Sequence, residues 1–287
     1  MDSQLLKRLY RILHDDPTLT RTPRCCYSDA VILLIYAFGV LHQLSPRQAL
    51  QRRHWPICYR RIRFPSYSQL MKRLATLDEQ LQQLSRLLRH QLPRTDQKVI
   101  DGKPLCVGGF SHDPDAALGH VPGGFARGYR LHLLADHSGA IDAFALTPMN
   151  QSEASVMTRL LERQPLSGVV IRADASYDAT AMYQATRVAG GRLIAARRKP
   201  GRGTARRARH PDRLAAIEQL EQRPDGLRVH RRLRGRVEQI LAHLGNLSFG
   251  LFALPNHVRR LHRVRRWTEG KILLYHLHLL ERQKTIK

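Results

Sequence analysis

The chain is poor in cysteine, poor in acids and without a long apolar run. Its 287 residues include 4 cysteines, none of them in a Cys-x-x-Cys pair. This disfavours a disulfide framework or a structural zinc site and indicates reduced, intracellular thiols. The longest apolar run, residues 31–41, is shorter than the roughly 18 residues of a membrane span, so it predicts a buried core helix. With no visible secretory signal, we expect a cytoplasmic protein without membrane contact.

The chain has 48 Lys and Arg residues but only 23 Asp and Glu residues, which gives a net charge of +25. Such an excess favours a polyanion as partner. The charge is unevenly spread: residues 1–100 hold 17 basic and 7 acidic side chains, residues 101–196 hold 8 and 9, and residues 197–287 hold 23 and 7. A nearly neutral middle between two basic arms is expected of a carboxylate centre flanked by surfaces that bind nucleic acid.

The apolar spacing and charge of residues 1–95 predict an all-helical, basic domain. Leucines recur at helical spacing from residue 74 to residue 92, in a helix that we predict to begin at Ser66. Ser45-Pro46 is a typical helix start, and the helix after it would carry Arg52 and Arg53 as nucleic-acid contacts. A helix-turn-helix within residues 45–77 would need a link of about a dozen residues, too long for that motif. A plain helical bundle with a basic face is therefore favoured.

Residues 96–287 predict a second domain built on strands. Apolar, β-branched runs alternate with helical patterns in the order β-β-β-α-β-α-β. A right-handed crossover would lay the fourth and fifth strands parallel beside the first. The fold class predicted is α/β, an RNase H-like mixed five-stranded sheet with flanking helices. The strands are predicted at residues 98–107, 129–135, 141–147, 169–174 and 192–196, with a loop at residues 110–125.

A basic insertion, about residues 197–228, follows the fifth strand. Its first part, residues 197–213, holds eight basic residues and one acid, which is typical of a loop that binds a polyanion. A helix predicted over about residues 229–244 follows it. The nucleic-acid contacts predicted in this part of the chain are Arg197, Arg198, Lys199, Arg206, Arg207, Arg231 and Arg234.

Three acids are candidate metal ligands. Asp101 follows the apolar start of the first strand, Asp174 ends the buried fourth strand, and Glu238 lies in the helix just described. A carboxylate on a buried strand is costly unless it is paired or binds a metal. Mg²⁺ prefers carboxylate oxygens, and two such ions about 3.5–4 Å apart can serve both oxygens of a phosphodiester transfer. Alternatives remain, since Asp-Gly is a common turn signal and Glu238 has Arg234 one helical turn away.

The ordered set of motifs resembles the DDE transposases of bacterial insertion sequences. Asp101-Gly102 lies where the family has its first acid. Residues 174–178 (Asp-Ala-Ser-Tyr-Asp) resemble the segment that contains the second acid. Arg234 and Glu238, with three residues between them, match the family's Arg-x-x-x-Glu motif. Residues 127–132 (Arg-Gly-Tyr-Arg-Leu-His) resemble its second strand and residues 147–150 (Thr-Pro-Met-Asn) its next turn. The resemblance covers about residues 96–280.

This resemblance implies a transposase with Asp101, Asp174 and Glu238 as catalytic residues that hold two Mg²⁺ or Mn²⁺ ions. It implies recognition of inverted-repeat ends in double-stranded DNA, hydrolysis that frees a 3′-hydroxyl, and transfer of that hydroxyl into target DNA. Because two ends must meet, we expect a homodimer on DNA, associated with a bacterial nucleoid.

Two departures from the family's pattern keep another interpretation open. Many members carry a Tyr three residues before the Arg and a Lys seven residues after the Glu, where this chain has Arg231 and Gly245. The chain is therefore either an active transposase or an inactive or repurposed relative that binds DNA. Glu218 and Glu221 are rival third acids but lack the Arg spacing. The charge alone would also allow an RNA-binding protein, against which the strand-borne acids argue.

Overall fold

A computed structural model describes residues 2–16, 19, 26–108, 112–198, 210–246 and 254–285. The chain forms two compact units, a helical unit of residues 1–92, 244–251 and 255–287, and a sheet unit of residues 93–243 and 252–254. The predicted domains, residues 1–95 and 96–287, differ from this division in the C-terminal segment. No helix among the described residues is long and apolar enough to cross a membrane.

The described helices and strands follow in chain order. The helices are α1 (Asp2–Asp15), α2 (Asp29–Leu41), α3 (Pro46–Ala49), α4 (Tyr67–Leu74), α5 (Asp78–His90), α6 (Glu153–Leu161), α7 (Thr180–Val188), α8 (Pro211–Glu221), α9 (Gly226–Asn246) and α10 (Leu261–Thr285). The strands are β1 (Gln97–Cys106), β2 (Ala117–Val121), β3 (Gly124–Asp136), β4 (Ile141–Pro148), β5 (Val170–Ala173) and β6 (Arg192–Ala195).

In the helical unit, α10 packs against α5, α2 and α1. The closing helix was predicted at residues 272–280 and is longer than that, because α10 begins eleven residues earlier, at Leu261. Its long buried stretch includes Val264, Trp267 and Leu274. The apolar run at residues 31–41 is buried within α2, as predicted. α10 therefore completes the core of the N-terminal helices.

Side chains near the helix ends of this unit fix where its helices begin. Ser45 and Gln48 form a reciprocal capping box at the start of α3, which satisfies two backbone N–H groups. The helix ends at Ala49, so the prediction that it carries Arg52 and Arg53 was wrong, and both lie exposed in the 3₁₀ turn Arg52–His54.

The leucine stripe after Ser66 was predicted as one helix and is two. α4 ends at Leu74, and the Thr76 hydroxyl donates to the Arg73 carbonyl, one of the oxygens that a helix end leaves unpaired. A new helix begins at Asp78, whose carboxylate favours a helix N-terminus. Periodicity alone could not show this break because the apolar spacing continues across it.

In the sheet unit, six described strands form one mixed sheet in the order β2-β3-β1-β5-β6, with β4 also paired to β3. β3 is antiparallel to β1, and β5 lies parallel to both β1 and β6. The helices α7 and α8 pack against β6, and α6 packs against α7. The prediction of an RNase H-like mixed α/β fold behind an all-helical N-terminal region is confirmed.

The additional strand is β2, within residues 110–125, where a loop was predicted. It pairs antiparallel with β3, from Ala117 opposite Gly128 to Val121 opposite Gly124. Gly119, within this range, and Gly128, in β3, have a packing role. A Cβ at Gly119 would lie 2.5 Å from Met149 Cγ, and one at Gly128 would lie 2.3 Å from the Leu105 carbonyl oxygen. Glycine here permits close approach of neighbouring chain segments.

Candidate active site

Asp101 and Asp174 come from adjacent parallel strands. β1 and β5 pair in parallel with Val99 opposite Arg172, and two further residues along each strand lead to Asp101 and Asp174. The negative charge of Asp174 acts on Asp101, which agrees with this register. The sheet therefore brings two of the three predicted acids side by side.

The local backbone differs at the two acids. β1 continues through Gly102 to Cys106, so Asp101 lies inside the predicted strand, and the turn that Asp-Gly can signal does not form there. Asp174 directly follows β5 and caps the 3₁₀ turn Ala175–Tyr177. Its Oδ1 accepts hydrogen bonds from the Ser176 backbone N–H at 2.8 Å and from the Ser176 hydroxyl at 2.5 Å.

The electrostatics of Asp101 are those of a carboxylate that is largely removed from water. Burial raises its pKa to about 6, with Asp174 as a further cause, while the Gly102 N–H at 2.9 Å and the charges of Arg234 and Lys103 act in the opposite direction. A raised pKa means that the ionised form is disfavoured in this environment. A bound cation would reverse that balance.

Helix α9 is fixed to the sheet beside these strands. The ring Nε2 of the buried His230 lies 3.1 Å from the Ala173 carbonyl oxygen, at the last residue of β5. Arg236 donates to the His137 and Ser138 carbonyls of the β3–β4 turn, both at 3.1 Å. His230, Arg234 and Glu238 are spaced four residues apart and so share one helix face.

Glu238, the third predicted acid, is 62% exposed and pairs with Arg234, whose Nη2 lies 2.5 Å from its Oε1. The positive charge of Arg234 also acts on Asp101, whose pKa it lowers. Arg234 therefore interacts with both acids. Within the described residues, no group of three or more His, Cys, Asp or Glu side chains is arranged to hold a metal ion. Asp101 and Asp174 are thus brought together, and Glu238 is directed toward Arg234.

A family model for the transposase DDE domain matches residues 93–277, well over half of the chain. The chain belongs to this transposase family. A structural relative is the piggyBac transposase in a cryo-EM synaptic complex with hairpin DNA, with a TM-score of 0.53 and 10% identity over 98% of this chain and 73% of that chain. At this identity the likeness concerns the fold. No curated protein matches the chain.

The residues of this transposase fit the divalent metal ions that its family generally uses. Asp101 and Asp174 offer hard carboxylate oxygens at one place, and burial raises the pKa of Asp101, so a bound cation would favour its ionised form. Glu238 lies on the same helix face as Arg234, with which it pairs.

The basic residues predicted to contact DNA fall into three groups. Arg197 is bound to Glu221 by two hydrogen bonds of 2.9 and 2.7 Å, and Arg198 donates to the Ser176 carbonyl at 3.0 Å. Arg231 of α9 is exposed, as are Arg52 and Arg53. Lys199, Arg206 and Arg207 lie outside the described residues.

Two contacts around the transposase's acids were missed in the sequence. Arg213 of α8 binds the buried Asp178 with hydrogen bonds of 2.6 and 2.7 Å, and so holds the turn that follows Asp174. Glu153, the first residue of α6, forms an ion pair with Arg130 of β3. No local spacing joins these partners, since 35 and 23 residues separate them. Arg130 and Asp178 lie in segments that resemble the family's motifs, residues 127–132 and 174–178, whereas their partners Glu153 and Arg213 lie outside them.

Proposed function

We propose that this chain is an active DNA transposase that hydrolyses phosphodiester bonds at the ends of its element and transfers the freed 3′-hydroxyl into target DNA. The observation that carries the proposal is the pairing of β1 with β5, which places Asp101 beside Asp174. Membership of the family supports the reaction class.

In this proposal Asp101, Asp174 and Glu238 hold two divalent ions, Mg²⁺ or Mn²⁺. When bound, such ions supply an activated water and stabilise the leaving oxygen. Asp101 and Asp174 are held by the sheet. The Glu238 side chain would leave Arg234 and turn to the metal ions. Arg234, once released from Glu238, is free to bind a DNA phosphate, for which a guanidinium is suited.

The DNA partner is supported by the charge of +25 and by the exposed Arg231 on the helix that carries Glu238. The inverted-repeat ends and the target would both be double-stranded DNA, and joining two ends requires a homodimer on DNA. Because many Arg side chains displace counterions, binding should weaken steeply with salt.

A second candidate is a transposase relative that binds DNA without cutting it. It is favoured by one specific observation, the pairing of Glu238 with Arg234 in an exposed position. Arg231 and Gly245, at positions where many family members have Tyr and Lys, agree with it.

The test is metal-dependent cleavage of DNA that carries the element's ends, with Mn²⁺ or Mg²⁺. We expect Asp101→Asn, Asp174→Asn and Glu238→Gln each to lower the rate by about 1,000-fold or more, because a metal ligand acts in the transition state itself. DNA affinity should stay within a few-fold. Glu218→Gln, an exposed acid of α8, is the matched control and should cleave normally.

Each outcome assigns the chain to one candidate. An active Asp174→Asn variant would overturn the site. A wild-type chain that binds the ends with a steep salt dependence but never nicks them would establish the inactive relative.

A further inference from the structure

A fourth carboxylate, Glu153, lies close to Gly102, the neighbour of Asp101 in β1, and has no part in the proposed metal site. It is the first residue of α6, directly after Ser152, whose side chain caps the helix. Its side chain is 27% exposed and forms an ion pair with Arg130 of β3, itself 13% exposed. α6 is thereby tied to β3.

The same carboxylate reaches the turn that holds Asp174. The hydroxyl of the fully buried Tyr177 donates to Glu153 Oε2 at 3.4 Å. Tyr177 closes the 3₁₀ turn whose first N–H groups are capped by Asp174. Burial, and next the negative charges of Asp101 and Asp174, raise the pKa of Tyr177. Its hydroxyl therefore remains a neutral donor near both aspartates.

Glu153 also contacts the strand that holds Asp101. A Cβ added to Gly102 would lie 2.9 Å from Glu153 Oε2 and 3.2 Å from the Tyr177 hydroxyl. Gly102 is next to Asp101 in β1, which runs straight through this position. A side chain here would have to displace the Glu153 carboxylate, so the space that Glu153 and Tyr177 occupy favours glycine at this position.

We infer that Glu153 is a positioning residue, which joins β1, β3 and the turn after β5 so that Asp101 and Asp174 stay at the separation that divalent metal binding needs. The inference rests on the proposed function. Arg130 neutralises Glu153, and Tyr177 donates to it, so its oxygens are engaged within the protein. Groups that orient metal ligands in this way commonly contribute 10–100-fold to metal affinity or activity.

The experiment uses the full chain with end-bearing DNA and measures Mn²⁺ affinity by calorimetry beside the cleavage rate. Glu153→Gln keeps the shape but weakens the contact with Arg130. We expect Mn²⁺ affinity and cleavage to fall by about 10–100-fold, with DNA affinity and thermal midpoint nearly unchanged. Glu162→Gln, exposed at the other end of α6, is the matched control.

Two further variants separate positioning from folding. Tyr177→Phe removes only the hydroxyl and should weaken Mn²⁺ binding in the same direction. Gly102→Ala should do so more strongly, because its methyl group displaces Glu153. If Glu153→Gln is combined with Gly102→Ala, the two losses should be less than additive, since both act on one contact.

The outcomes distinguish this inference from the proposed function. Normal Mn²⁺ affinity in folded Glu153→Gln protein would overturn the inference alone. A wild-type chain that binds Mn²⁺ but does not cleave would overturn the proposed function alone, and the Mn²⁺ affinities would still decide the role of Glu153. A wild-type chain that binds no Mn²⁺ on DNA would overturn both.

Discussion

The helical unit and the sheet unit each contain a buried lysine, and the two lysines have different partners. In the helical unit, the fully buried Lys271 has its ammonium 2.6 Å from the Val40 carbonyl oxygen and 4.9 Å from the Trp267 ring centre, with no carboxylate partner among the described residues. In the sheet unit, the buried Lys98 is paired with two acids, Asp136 and Asp142.

The paired charges of the sheet unit also cluster around its candidate site. Arg213 with Asp178 and Arg130 with Glu153 both hold segments adjacent to Asp101 and Asp174. Such pairs add little net stability compared with apolar packing, but removing one member leaves an uncompensated charge. We infer that the sheet unit keeps them for geometry, whereas Lys271 is a cost that the helical unit tolerates. Three predictions test that difference, from the largest expected effect to the smallest.

The largest effect is expected for Asp178→Ala, which leaves the Arg213 guanidinium buried without its acid. The free energy of unfolding should fall by about 3–5 kcal/mol, measured by urea denaturation followed by far-ultraviolet circular dichroism. The control is Asp225→Ala, whose pair with Arg228 is largely exposed and should contribute less than about 1 kcal/mol. Equal effects of the two changes would remove the distinction drawn for the sheet unit.

Lys271→Met should have the opposite sign and raise the free energy of unfolding by about 2–4 kcal/mol at pH 7. Burial lowers the pKa of Lys271 to about 7, so between pH 7 and about 10.4 the unfolded chain binds more protons and the stability of the wild type rises with pH. The variant should lack this rise. Both tryptophans, Trp55 and Trp267, belong to the helical unit, so their fluorescence reports on its unfolding.

The control for that change is Lys284→Met, at an exposed position of the same helix, which should alter stability by less than about 0.5 kcal/mol. A destabilised Lys271→Met protein would show that the hydrogen bond to Val40 outweighs the desolvation of the ammonium.

The smallest effect is expected for Asp101→Asn, which should stabilise the metal-free protein by about 1–2 kcal/mol at pH 7. Because the pKa of Asp101 is raised to about 6, the folded wild type binds more protons than the unfolded chain between about pH 4 and pH 6. Its stability should therefore fall as pH rises through that range, relative to the variant. A less stable Asp101→Asn protein would mean that this carboxylate is satisfied without metal.

Most of the strand order and the meeting of Asp101 with Asp174 could be predicted, because the pattern that shows a strand is local to it. A β-branched run that ends in Asp174 shows both the strand and the place of its acid. Asp101-Gly102 left a turn open as an alternative, and the loop at residues 110–125 was wrongly predicted from its Gly and Pro residues and its lack of a period. In both cases the glycine makes room for a side chain distant in sequence, Glu153 for Gly102 and Met149 for Gly119. The pairing of Glu238 with Arg234 was one of the alternatives that their spacing of four residues left open. The choice between this pairing and a metal site depends on side-chain rotamers, which no sequence pattern specifies.

The packing of α10 with α1, α2 and α5 has a consequence for biosynthesis. Residues 93–243 of the sheet unit form one nearly continuous stretch, whereas the helical unit needs segments from both sides of it. Domains generally fold as they leave the ribosome, in order of completion. The sheet unit is complete before α10 has been made, so we expect the N-terminal helices to be synthesised first and to reach their final packing last.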